Sequence, residues 1–312
     1  MLFGMNHPTD TASRSPHEQG TCYGFGIHST IPFACLRNGQ GPPLEVASAS
    51  HQVPARTMPL VAEWREHPTD EPYARLYRDE KEYWLWMNHS GWTRIDAHGP
   101  RITLPGSLDS AVSEEHLWTI PVSLCLLHRG DLALHAAAVE VDGHGVLLVA
   151  PGGAGKSTLA AAFVQAGYRL LSEDVACVRV EGAPCVIPGP AMLRLRPDVL
   201  SHVALPGARV IRQIRSRVTF ALDQAGRGGC EPVPVRAIFL LDAASDGPLG
   251  ESISPAEGIR HLWPMAFKLP VDDWTARCFA HLGDLAAAVP IRRFARPMRL
   301  EELPRSVEDL TR

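Results

Sequence analysis

Residues 150–158 read Ala-Pro-Gly-Gly-Ala-Gly-Lys-Ser-Thr, and their types and spacing suit the capture of a phosphate chain. Glycines at 152, 153 and 155 let the backbone fold tightly enough to aim successive N–H groups at phosphate oxygens. The backbone of Gly152, Gly153, Ala154, Gly155 and Thr158 is expected to form the cradle. Lys156 adds positive charge for the terminal phosphates, and the Ser157 hydroxyl is of the kind that ligates magnesium. The strict form of the pattern begins with glycine, where this chain has Ala150, a mild departure. The competing reading is a glycine-rich turn that binds nothing.

Such a loop works only if a strand delivers it and a helix receives it. Residues 146–149 form an apolar run of strand length, as a strand buried on both faces requires. Beyond the loop, Leu159, Ala162, Phe163 and Ala166 recur at helical spacing, and Gly167 offers a C-terminal stop. The positive end of that helix points at the same anion. Strand, loop and helix in this order weigh against the inert turn, so ATP and Mg2+ are the expected cofactors. A nucleotide loop also needs carboxylates, and two candidates follow. One is the pair Glu173–Asp174, after the strand-like residues 168–171; the other is Asp242, after 237–241.

The elements around this core are read from their periodicity. Residues 1–20, rich in Ser, Thr, His, Pro and Asp, suggest a flexible tail. Residues 21–110 suggest a small, mostly β domain, with alternation at Tyr23, Phe25 and Ile27 and a hairpin across 73–87. Its tryptophans 84, 86 and 92 are either core or a peptide-binding face. Residues 111–312 would form the phosphate-binding domain. It opens with a helix over 111–128 despite Pro121, then a strand over 132–141 turned by Asp142-Gly143-His144-Gly145. A helix over 274–289 and a strand over 291–294 follow. Arginines 194, 196, 209, 212, 215 and 217 could clamp phosphates or be paired at the surface, and 207–230 could act as a lid.

Composition narrows the class. Of 312 residues 45% are hydrophobic, enough for a core, and the formal charge of −4 argues against nucleic acid or an anionic membrane as partner. Seven scattered cysteines form no zinc spacing, and neither an export signal nor a spanning run is visible, so the cytoplasm is the expected compartment.

From about 130 to 180 the chain resembles HPr kinase/phosphorylase and its bacterial relatives. His135, Gly143, Gly145, Lys156, Ser157, Glu173 and Asp174 take that family's positions without a gap. The resemblance implies an α/β fold with a P-loop, HPr-kinase-like C-terminal domain behind a smaller, mostly β N-terminal one. It implies a catalytic set of His135, Lys156, Glu173 and Asp174. Within that set Asp174 and Ser157 would hold the magnesium, Glu173 would be the base on the acceptor hydroxyl, and His135 would sit beside that carboxylate. Glu173 replaces the family's first Asp and carries its carboxylate about one carbon further out. The runs Tyr-Gly-Phe-Gly at 23–26, Leu-His-Ala-Ala-Ala at 134–138 and Gly-Tyr-Arg-Leu-Leu-Ser-Glu-Asp at 167–174 look most like the HPr-kinase-related serine kinases that tailor ribosomal, lasso-type precursor peptides.

The expected activity is thus transfer of the ATP γ-phosphate to a serine hydroxyl of a peptide or protein. Two alternatives stay open: phosphoryl transfer to a small hydroxylated metabolite, and a non-catalytic, nucleotide-gated peptide-binding module. A homo-oligomer is compatible with either.

Overall fold

The computed structural model describes residues 17–50, 58–80, 82–223, 229–242, 251–296 and 299–312. Eight strands make the first sheet: β1 (His17–Cys22), β2 (Phe25–Ser29), β3 (Pro43–Ala49), β4 (Leu60–Trp64), β5 (Ala74–Asp79), β6 (Glu82–Met87), β7 (Gly91–Asp96) and β8 (Arg101–Pro105). Their order is β1-β2-β3-β8-β7-β6-β5-β4, with β2, β3 and β8 parallel and the other neighbours antiparallel. The expected tail lies outside the described residues as far as 16; its last four residues belong to β1, a correction forced by the β1–β2 pairing. Tyr23 is not a strand residue but the turn between those strands, at φ 52. Trp84 is buried, whereas Trp86 and Trp92 face each other across β6 and β7, partly exposed.

The expected helix over 111–128 is two helices, α1 (Ser110–Leu117) and α2 (Ile120–Arg129). Pro121 has no N–H to give and sits in the first turn of α2, where none is needed. Buried Glu114 on α1 accepts hydrogen bonds from the backbone N–H of Ala34 and Cys35, both at 2.8 Å, and so ties α1 to the first sheet.

The second sheet is built from β9 (Leu132–Leu134), β10 (Ala136–Val141), β11 (His144–Val149), then, after α3 (Lys156–Gln165), from β12 (Arg169–Ser172), β13 (Ala176–Arg179) and β14 (Cys185–Ile187). Three further strands, β15 (Met192–Leu195), β16 (Arg209–Gln213) and β17 (Val218–Ala221), form a separate antiparallel sheet in the order β15-β17-β16. The span 207–230 expected as a lid holds β16, β17 and the turn between them; residues 224–228 lie outside the described residues. β18 (Val233–Asp242), β19 (Glu251–Ser252), α4 (Pro255–Leu262), α5 (Trp274–Ala288), β20 (Ile291–Ala295) and α6 (Leu303–Thr311) complete the chain.

At the centre, β11, β18 and β20 run parallel, with Val149 beside Leu240 and Asp242 beside Ala295. β11 beyond His144 and residues 237–241 of β18 are buried, which is why their sequences are continuous apolar runs. Asp142 at φ 50 and Gly143 at φ 74 turn β10 back into β11, as expected of that hairpin. The single strand expected over 132–141 is broken at His135: β9 pairs with β13, while β10 pairs with β11 and β12. His135 stands at this fork, its N–H donating to the Met265 carbonyl at 2.7 Å.

One apolar cluster reaches from the first sheet across α1 and α2 to the second sheet, and two further clusters pack the second and third sheets. Side chains of the first sheet, including Leu44, Leu76 and Ile102, pack in one cluster with Leu117, Val122 and Leu126 of α1 and α2 and with Cys177 of β13. Among the described residues no helix is long and apolar enough to cross a membrane.

Buried His116 of α1 contacts the hydroxyls of Ser90 at 2.9 Å and Thr93 at 2.7 Å, one at each ring nitrogen. Burial pushes its pKa down to about 4. The unfolded chain thus takes up this proton first, so stability is full above about pH 6.5 and falls as the pH drops toward 4. The full effect is about 3 kcal/mol. Thermal melts from pH 7 to pH 4 should show a declining Tm, with a shallower decline in His116→Gln.

Candidate active site

The loop leaves β11 and enters α3 through two glycines in the left-handed region, Gly153 at φ 80 and Gly155 at φ 82. A side chain at either would be strained, which accounts for their place in the pattern. Gly155 caps the helix, so the first-turn N–H groups of α3 are left without helical acceptors and face outward. The buried Arg296, just past β20, hydrogen-bonds the carbonyls of Ala154 and Gly155 at 3.4 and 3.3 Å. It braces the loop from within, a role no motif announced; its position one residue beyond a buried parallel strand is the signal that existed.

Lys156 is largely buried and turns back on the loop. Its ammonium donates to the carbonyls of Ala150 at 2.6 Å and Pro151 at 3.1 Å, and to Nε2 of His135 at 2.9 Å. An ammonium cannot accept, so His135 Nε2 is the acceptor and Nδ1 carries the proton. That Nδ1–H lies 3.1 Å from the backbone oxygen of Asp174 and 3.2 Å from its Oδ1. Burial pushes the lysine pKa down, against the opposing pull of Asp174 and Glu173.

Glu173 and Asp174 follow β12. In an extended strand their side chains would point to opposite faces. Asp174 instead adopts φ 71, at a cost of roughly 1 kcal/mol, and both carboxylates reach the same guanidinium. Arg194 of β15 lies 3.1 Å from Glu173 Oε2 and 2.7 Å from Asp174 Oδ2. Burial alone would raise the Asp174 pKa, but the charge of Arg194 and the hydrogen bond from His135 outweigh it and hold the carboxyl far below its usual range. Arg194, half-buried, is held above its usual value by the two acids, against the opposing effect of desolvation. Ser157 Oγ donates to Glu173 Oε1 at 2.5 Å.

The structure therefore brings His135, Lys156, Ser157, Glu173 and Asp174 to one cleft of about 360 Å3, together with Gly152, Gly153, Gly155 and Thr158. Asp242 ends β18 exposed and does not line it. Of the six arginines, 194, 196, 212 and 217 line the cleft, while 209 and 215 do not. Glu115, unremarked in the sequence, holds Arg212 at 2.6 Å and also accepts from the Thr219 hydroxyl.

The side chains suit a magnesium ion in kind. Hard cations take oxygen donors, and Mg2+ is usually held by one or two carboxylates with phosphate and water. Ser157, Glu173 and Asp174 supply a hydroxyl and two carboxylates, the latter already gathered around a positive charge. Among the described residues no group of three or more His, Cys, Asp or Glu side chains is set to hold a metal unaided.

No protein-family model matches the chain, and no curated protein matches it. Among solved structures, the Hpr(Ser) kinase/phosphatase from Coxiella burnetii superposes on 57% of this chain and 92% of its own, at 16% identity and a TM-score of 0.32. So distant a likeness carries no weight, and the chemistry is read from the side chains.

Arg194→Met removes the cation between two adjacent acids. Without magnesium it should lower stability by about 3 kcal/mol, the usual cost of orphaning a buried charge. Added Mg2+ should then raise Tm more in the variant than in the parent, because no guanidinium competes. A variant melting like the parent would show that Arg194 does not balance the pair.

Proposed function

We propose that the protein is an ATP- and magnesium-dependent kinase that transfers the γ-phosphate to a serine hydroxyl of a peptide or protein. The observation that carries this reading is the meeting of Lys156, Ser157, His135 and the Glu173–Asp174 pair at the N-terminus of α3. Such a site can work by positioning and charge, which is what phosphoryl transfer draws on.

The first-turn amides of α3 and the loop backbone bind the phosphate chain, and Lys156 exchanges its loop carbonyls for phosphate oxygens. Magnesium, when bound, neutralises phosphate charge. Asp174 and Ser157 are the residues proposed to hold it, since a carboxyl kept so firmly ionised suits a cation. Glu173 takes the proton as the acceptor oxygen bonds to the γ-phosphorus; the bond to the β-phosphate oxygen breaks and ADP leaves. Arg194, released from the acids, is placed to meet charge on the transferring group.

One observation favours a second assignment within the same reaction. The Ser157 hydroxyl touches Glu173 rather than Asp174, which would make Glu173 the metal-side acid and Asp174, held by His135, the base.

Incubation with ATP, Mg2+ and a serine-bearing peptide should add about 80 Da, one phosphoryl group. Asp174→Asn should abolish transfer, whereas Asp242→Asn should leave much of it. Titrating Mg2+ against nucleotide binding in Glu173→Gln and Asp174→Asn identifies the metal acid as the one whose loss weakens the metal dependence. Steady ATP consumption without a phosphorylated product would exclude the peptide kinase.

A further inference from the structure

Among the described residues four large hydrophobic side chains stand exposed, and two of them, Val210 at 50% and Ile214 at 40%, belong to β16 and the turn after it. β16 is an edge: it pairs with β17 and with no other described strand. The direction of its free backbone groups follows from the turn. Ile214 and Arg217 exchange both backbone hydrogen bonds, at 2.9 and 3.4 Å. Antiparallel pairs alternate between bonded and non-bonded, so Gln213, opposite Val218, turns its N–H and C=O away from β17. Gln213 is itself exposed.

An open, partly apolar strand edge is a template for another strand. Its charge indicates which. Arg209, Arg215 and Arg217 lie exposed along β16 and its turn, and no ion pair engages them among the described residues. The same segment leads into the cleft, because Arg212, Ile214 and Arg217 line it together with Lys156 and Asp174.

We propose that the free edge of β16 receives an extended acidic segment of the acceptor polypeptide by backbone pairing and so brings its hydroxyl to the cleft. The proposal rests on the peptide-kinase reading of that site. Backbone pairing supplies affinity, Val210 meets apolar side chains on one face of the incoming strand, and Arg209, on the opposite face, selects acidic ones. A β strand advances about 3.3 Å per residue, so a hydroxyl a few residues beyond the paired stretch spans the distance from strand edge to cleft. A free hydroxy metabolite would make no use of this edge.

The test uses a peptide that cannot be phosphorylated, so binding is read apart from turnover. The probe is a fluorescein-labelled decapeptide of alternating valine and aspartate, followed by fluorescence anisotropy with the full chain. Saturable binding is expected, weakened at least about tenfold when every backbone amide of the peptide is N-methylated, the effect of losing two hydrogen bonds. Gln213→Pro removes an N–H that β17 does not use and should weaken binding similarly; if that variant does not fold, the N-methylated peptide decides. The valine–lysine counterpart should not bind. No binding of the acidic peptide, equal binding of the lysine peptide, or indifference to N-methylation would overturn the inference. A protein that phosphorylates serine peptides yet ignores this probe refutes the docking edge alone, and one that pairs with the probe yet never phosphorylates refutes the kinase alone.

Discussion

Two neighbouring carboxylates in a half-closed cleft repel each other and resist losing water, and the site exists because Arg194 resolves that conflict. Its guanidinium bridges Glu173 and Asp174, so two negative charges are held close enough to share one cation. The arrangement also sets the resting state of the cleft. Ser157 is occupied by Glu173 and Lys156 by its own loop and His135, so the two polar side chains of the loop proposed to meet metal and nucleotide already have partners. On the proposed reading, nucleotide and metal would enter by exchange of partners, which spares the protein the cost of burying unsatisfied charge.

His135 links the two halves of the constellation. One ring nitrogen accepts from the lysine of the loop and the other donates toward Asp174, just after β12. That double contact requires the ring to stand where the sheet changes partners, and the break between β9 and β10 provides the place. Continuous pairing through residue 135 would turn the ring to one face of the ladder, with no route to both groups.

Much of this was legible before any coordinates. The loop, its strand and helix, the hairpin at Asp142–Gly143 and the β18 and β20 strands follow from apolar periodicity and glycine placement, both local properties. What escaped was non-local. The fork at His135 cannot be seen in an apolar run, because a buried strand reads the same whichever neighbours it has. The break before Pro121 needed the knowledge that proline starts helices as readily as it ends them. The strand β16 hid behind its arginines, since an edge strand over a polar cleft lacks the apolar alternation that marks a half-buried one. Arg194 was one of six similar arginines in the sequence; only its register opposite Thr219, and the chain reversal at Asp174, singled it out.

The first sheet contributes more than cover. Arg37, nearly buried, donates to the carbonyls of Gly189 and Leu170 at 2.7 Å and of Leu171 at 3.1 Å, while the Tyr23 hydroxyl donates to the Val175 carbonyl at 2.8 Å. Tyr23 lies so close to Gly189 that a Cβ there would fall 2.5 Å from its ring. Residues on both sides of the acids are thus clasped by a segment more than a hundred positions earlier in the chain. Excising the half that carries the glycine loop would take a donor from each of four main-chain oxygens at the acids' own foundation, so the amino-terminal portion is a mounting for the cleft and not a detachable accessory.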